Sequence, residues 1–143
     1  MKILAVDFGD ARTGLACCDA GEMLASPVGV IHDKVFDRVV KKVAQAAREQ
    51  QAQEIVVGHP KNMNGTLGPR AQLCEEFAHK LREQVEIPVI LWDERSTTVS
   101  AIGILNETDV RGKRRKAVVD AVAATIILES YLAYRKNQRE RGC

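Results

Sequence analysis

The sequence predicts an α/β layer fold around a central five-stranded mixed sheet, a three-stranded antiparallel meander plus two parallel strands, flanked by helices. Three observations carry that prediction. A nearly unbroken apolar run from Ile3 to Phe8 is what a strand buried on both faces requires. Two more strand-like runs follow it before any helical pattern begins. From His32 onward helical and strand periodicities alternate, the order expected of a layered α/β chain.

The elements follow in order. Thr13 to Cys18 and Met23 to Ile31 read as the second and third strands, joined by "DAGE", whose Gly21 suits a tight hairpin. Phe36, Val39, Val40, Val43 and Ala47 then fall at helical spacing, with Lys41, Lys42, Arg48 and Glu49 on the opposite side. Glu54 to Gly58 is a short fourth strand. "GHPKNMNGTLGP" is the clearest loop, ahead of a helix that lines up Leu73, Phe77 and Leu81. "IPVILW" is the fifth strand, ending at Asp93 and Glu94. A short helix is expected over Ser96 to Leu105, then a polar, basic connection, "NETDVRGKRRK", and a last helix from Lys116 to Tyr134. That helix is apolar almost all round, which marks it as packed on the sheet.

Composition bounds the function. The 143 residues suit one domain, 1–143, with a real core, and no repeat or linker divides them. No apolar stretch approaches a membrane span, and the N-terminus enters a strand without a leader pattern, so the cytoplasm is the expected compartment. Cys17, Cys18, Cys74 and Cys143 lack zinc-site spacing; the adjacent pair is expected to place one thiol in the core and one at the surface. The net charge of +2 conceals an asymmetry: from Arg111 onward nine Lys and Arg stand against Asp120, Glu129 and Glu140. A basic end on an acidic body suits a polyanionic partner, as it would a solvated tail.

Three acids stand in apolar company. Asp7 and Glu94 close the first and fifth strands, where open α/β sheets place ligands. At about 100° per residue, Asp120 lies roughly 180° from Glu129 and about 140° from Thr125, so it faces the sheet. Buried acids need a partner, a proton or a cation. Mg²⁺ is a hard ion that takes carboxylate and phosphate oxygens, and carboxylate-bridged ions activate water in phosphodiester cleavage. Each acid also has a plainer use: Asp7 as a turn cap, Glu94 as a partner for Arg95 or Arg12, Asp120 as a complement to the helix dipole.

"DFGDARTG", "GHPKNMNG", "DERSTT" and "KAVVDAVAATIIL", in that order, resemble the motifs of the YqgF family, also called RuvX, of Holliday junction resolvases and pre-16S ribosomal RNA nucleases. The resemblance covers essentially the whole chain. It implies an RNase H-like fold and a nuclease site dependent on Mg²⁺ or Mn²⁺, with Asp7, Glu94 and Asp120 as catalytic metal ligands. It also aligns Gly9, Arg12 and Gly14 with the opening motif, Asn62 and Gly65 with the loop motif, and Arg95, Thr97 and Thr98 with the third.

The chemistry of these residues is readable beside the resemblance. Gly9 and Gly14 permit tight or positive-φ backbone and close approach of a ligand, and Arg12 offers a planar fork for phosphate or for a structural carboxylate. Lys61, Asn62, Asn64, Gly65 and Thr66 suit phosphate or sugar, or simply a folded turn. Arg111, Lys113, Arg114, Arg115 and Lys116 are expected to form a basic segment that grips flanking phosphates, unless they are a solvated loop. His59 departs from the apolar residue associated with the family there and is expected in a peripheral loop.

The expected function is thus metal-dependent cleavage of structured RNA or branched DNA, with no membrane partner. A non-catalytic nucleic-acid-binding or ribosome-assembly factor is the alternative, predicting salt-sensitive binding without cleavage. An actin-like or sugar-kinase-like ATPase would need a second domain for which the chain has no room. Symmetric incision of a junction favours a two-fold homodimer, although the sequence displays no dimer face.

Overall fold

The structure, a computed structural model, describes residues 1–60, 68–93 and 112–141, and in the last helix the side chains of 122–138. Its elements are β1 (Ile3–Asp7), β2 (Arg12–Cys18), β3 (Ala25–His32), α1 (Phe36–Glu49), β4 (Glu54–His59), α2 (Pro69–Gln84), β5 (Val89–Asp93) and α3 (Gly112–Arg141). The five strands form one sheet in the order β3-β2-β1-β4-β5. β1 pairs antiparallel with β2, and β2 with β3, whereas β1, β4 and β5 run parallel. The expected meander plus two parallel strands is therefore what forms.

Strand alternation splits the core into two halves. Leu4, Val6 and Phe8 point with Ile55 and Val57 toward α1 and α2, where Val39, Val43, Phe77 and Leu81 are buried. Phe8 stacks on Phe77 at 4.5 Å, and Phe36 meets both rings edge-on at 5.7 and 6.1 Å. Ile3, Ala5, Ala16 and Val56 point the other way, against Ala124, Ile127, Leu128 and Tyr131 of α3. Each such buried aliphatic or aromatic side chain contributes about 1.5–3 kcal/mol relative to exposure. The sheet is thus covered on both sides, as the continuous apolar run in β1 demands.

Polar contacts fix α3 onto this surface. Tyr131 donates its hydroxyl to Glu54, which is 7% exposed at the start of β4. Arg135 Nε donates to Glu22 Oε1 at 2.6 Å, and Trp92 Nε1 donates to Ser130 Oγ at 3.3 Å.

Four expectations need correction. The β2–β3 connection takes its positive φ of 57° at Glu22, not Gly21, and Asp19 Oδ1 accepts from the Met23 and Leu24 amides to hold it. Cys17 and Cys18 are both buried, one in each half of the core, because β2 is covered on both faces. The final helix starts before Lys116 and runs past Tyr134: Lys113, Arg114, Arg115 and Lys116 lie in its opening turns, since Lys and Arg are strong helix formers. His59 is the last residue of β4 and 6% exposed, not peripheral. The expected helix at 96–105 lies outside the described residues.

Candidate active site

Asp7 ends β1, and alternation puts it on the face shared by Ile3 and Ala5, the one α3 covers. In β2 the residue opposite it is Gly14. On its other side the register that sets Val6 beside Val57 continues to Gly58, which in turn sits beside Trp92 of β5. Asp7 therefore has a glycine in both neighbouring strands. Neither glycine places a side chain beside the acid, which leaves a notch in this face of the sheet at two buried positions. Gly14 lies in a strand without positive φ, so of the two uses expected of it only close approach of a ligand is compatible with its conformation. Gly58 went unnoticed in the sequence, where "VVGHP" reads only as a strand ending in a loop.

The β1–β2 turn beside the notch is built tightly. A Cβ on Gly9 would lie 2.1 Å from the carbonyl oxygen of Arg12, closer than any side chain tolerates. The Gly9 amide donates to the hydroxyl of the fully buried Thr13 at 3.5 Å. From the first turn of α2, Arg70 donates to the Phe8 carbonyl and lies 3.6 Å from Asp10. Arg70 is a positioning residue that sequence reasoning missed; its only signal is its place directly after Pro69 at the start of a helix. Arg12 opens β2 and forms no ion pair among the described residues.

β1 and β5 are not adjacent: β4 lies between them. The ends of these two strands are thus roughly 10 Å apart by strand axis. Glu94 follows Asp93, the last residue of β5, and lies outside the described residues, as do Lys61, Asn62, Asn64, Gly65, Thr66, Arg95, Thr97, Thr98 and Arg111. Asp120 is in α3, at a position four and seven residues before the buried Ala124 and Ile127. Those intervals place position 120 on the sheet-facing stripe.

His59 turns to the α1 and α2 side with Ile55 and Val57, away from Asp7. Its Nε2 lies 3.3 Å from Glu75 Oε1 without hydrogen-bond alignment. A role in contacting substrate beside Asp7 does not fit that orientation.

The donor set suits a hard cation. Carboxylate oxygens such as those of Asp7 are what Mg²⁺ or Mn²⁺ takes. Among the described residues no three His, Cys, Asp or Glu side chains form a metal-binding group. Nor is any helix among them long and apolar enough to cross a membrane.

Known proteins resemble this chain in sequence and in fold. A protein of Caldanaerobacter subterraneus subsp. tengcongensis named "Putative pre-16S rRNA nuclease" is 42% identical over 138 residues, covering 96% of this chain and 99% of its own. One of the same name from Desulfitobacterium hafniense is 44% identical over 134 residues, covering 94% and 93%. In structure, Thermus thermophilus RuvC in complex with a Holliday junction substrate superposes with a TM-score of 0.60 at 14% identity, over 95% of this chain and 96% of that one. The fowlpox virus Holliday junction resolvase does so with a TM-score of 0.53 at 14% identity, over 96% and 99%. These two establish a RuvC-like, RNase H-like fold. The family model described as "RuvX: Holliday junction resolvase" matches residues 1–134, and with that match over nearly its whole length the chain belongs to the RuvX family.

Proposed function

We propose that this chain is an endonuclease that hydrolyses phosphodiester bonds in structured nucleic acid with Mg²⁺ or Mn²⁺, acting as a single domain over 1–143. The substrate classes are the ends of pre-16S ribosomal RNA and Holliday junctions, after the names of the relatives and of the family. The observation that carries the reading is the setting of Asp7. An acid at the carboxyl end of a central strand, with Gly14 and Gly58 in both neighbouring strands, faces the helix that carries Asp120.

Asp7, Glu94 and Asp120 are the residues that would hold the cation, and when bound it supplies Lewis acidity toward phosphate and water. The chain's own groups do the rest. The glycine notch admits the sugar-phosphate backbone to the carboxylate of Asp7. Arg12 can pair with a phosphate through two parallel N–H donors. Lys113, Arg114, Arg115 and Lys116 lie in the opening turns of α3, whose first turn carries no acid and where the helix dipole adds positive potential. Backbone phosphates are the ligands such a terminus attracts. Thr13 and Arg70 keep the β1–β2 turn in the conformation that presents Asp7.

The test is cleavage of a four-way DNA junction and of a precursor 16S rRNA fragment, with Mg²⁺, with Mn²⁺ and in excess chelator. At least one substrate is expected to be cut only with metal, and Asp7→Asn to lower the rate by a factor of 100 or more, on the order of 3 kcal/mol. Full cleavage in chelator, or by Asp7→Asn, refutes the mechanism.

A further inference from the structure

A cavity of about 470 Å³ opens at the rim of the sheet beside the β1–β2 turn, lined by Ala11, Arg12, His32, Asp33, Lys34 and Arg38. Three of its lining residues are permanent cations and one is an acid. That acid is already committed: the Asp33 carboxylate accepts from Arg38 Nε at 2.9 Å, Arg38 Nη2 at 3.0 Å, Lys42 Nζ at 3.0 Å and the Val35 amide at 2.9 Å. With its side chain only 5% exposed, Asp33 works as a buried pin and not as a surface charge. The hydrogen bond from Arg38 first, then those from Val35 and Lys42, hold it ionised well below the usual carboxylate range.

The pin has a geometric effect. Two of the five guanidinium N–H groups of Arg38 are spent on Asp33, which fixes the plane of the fork and leaves the remaining donors. Arg12, His32 and Lys34 form no ion pair among the described residues. The Asp33 amide donates to the Ala11 carbonyl at 3.0 Å, so the loop after β3 and the turn before β2 are tied across the cavity floor. The result is a preformed cationic concavity.

Its place relative to Asp7 follows from the strand register. Gly14 is opposite Asp7, and Arg12, two residues before Gly14, is opposite His32. The cavity therefore lies on the order of 10 Å from the Asp7 carboxylate, two residues along β2 and one to two strands across. That is too far to hold the bond being cut and close enough to hold another phosphate of the same strand.

We infer that the Arg12–His32–Lys34–Arg38 cavity is a second phosphate-binding site, which seats a non-scissile phosphodiester of the nucleic acid and so fixes the strand's path across the Asp7 notch. The inference rests on the nucleic-acid reading of the Asp7 site but not on cleavage. The opening turns of α3 and this cavity belong to different elements, and two separated cationic grips define a direction for the strand where one would not.

Binding by the Asp7→Asn chain separates the two ideas, because it needs no turnover. A labelled four-way junction and a labelled pre-16S fragment are titrated at several salt concentrations with this chain, and again after adding Lys34→Ala or Lys136→Ala. Lys136 is exposed near the far end of α3 and removes the same charge. Lys34→Ala is expected to weaken binding about three- to tenfold and to reduce the slope of log affinity against log salt by about 0.9 on duplex arms. Lys136→Ala is expected to change neither. Equal effects of the two, or no effect of Lys34→Ala, overturn the cavity site. A chain that cuts normally but fails this test keeps its nuclease function and loses the second site; one that passes and never cuts keeps the site and loses the nuclease.

Discussion

Tyr131→Phe removes one oxygen and the hydrogen bonds it makes. The ring is 4% exposed and packs edge-on against Trp92 at 5.4 Å, contacts that phenylalanine retains. The hydrogen bond to Glu54 is lost, together with the hydroxyl's contact with Arg135. Burial first, and then that hydrogen bond, push the Tyr131 hydroxyl up to about 12, so it is a protonated donor throughout the neutral range. A hydrogen bond to a charged group contributes about 1.5–3 kcal/mol, and leaving a carboxylate that is 7% exposed without this donor adds to the loss. The expected destabilisation is about 2 kcal/mol. For a chain of 143 residues that corresponds to roughly 5–10 °C in Tm. Urea denaturation of Tyr131→Phe, Glu54→Gln and the double variant closes a cycle whose coupling should be about 1–2 kcal/mol. A loss under about 0.5 kcal/mol, or additive single effects, would show that the contact does not hold α3 to β4.

Three other outcomes follow from the geometry. Gly9→Ala forces a Cβ against the Arg12 carbonyl at 2.1 Å, so the turn must open; we expect about 1–3 kcal/mol of destabilisation by denaturant titration, with reduced cleavage. Gly58→Val inserts an isopropyl group at a buried position beside Asp7; we expect about 1–3 kcal/mol of destabilisation by denaturant titration and at least a tenfold loss in cleavage rate at temperatures where the chain stays folded, read on the junction and the rRNA fragment. Glu22 is lowered from 4.5 to about 2, chiefly by the hydrogen bond from Arg135. Its contribution is therefore complete above pH 4.5 and is lost as pH falls toward 2. With Arg135 26% exposed, screening leaves about 1–2 kcal/mol, which stability-versus-pH curves of Glu22→Gln should lack across that window.

The layers of this fold were legible because period and burial agree along the chain. β1 reads as continuous apolar sequence and is covered on both faces, and the stripe from Phe36 to Ala47 is the face α1 turns inward. Errors arose where a side chain or partner overrides local composition. Gly21 looked like the hairpin residue, yet Glu22 takes the positive φ because Asp19 binds the amides after it and Arg135 holds its carboxylate. "GHP" looked like loop, yet His59 extends β4 because β5 continues beside it as far as Asp93. The basic run before Asp120 looked like a connection because charge without an apolar stripe has no period, though its residues are good helix formers. Of the candidate site, Asp7 stood out as a polar group closing an apolar run. The notch did not, since it arises from two glycines on different strands that only the register brings beside Asp7.

The contacts that hold α3 also bear on the site at its other end. Tyr131 to Glu54, Arg135 to Glu22 and Trp92 to Ser130 bind one half of the helix to three different parts of the sheet and its connections. Position 120 lies three turns before Tyr131, about 16 Å along the axis. A slip of one residue would rotate the helix by about 100° and carry position 120 off the stripe it shares with Ala124 and Ile127. Three contacts of different chemistry, directed at two strands and one connection, cannot all be remade in a slipped register. The polar anchors at the far end are therefore what fix the rotational setting of α3, and with it the direction from which Asp120 would approach the notch at Asp7.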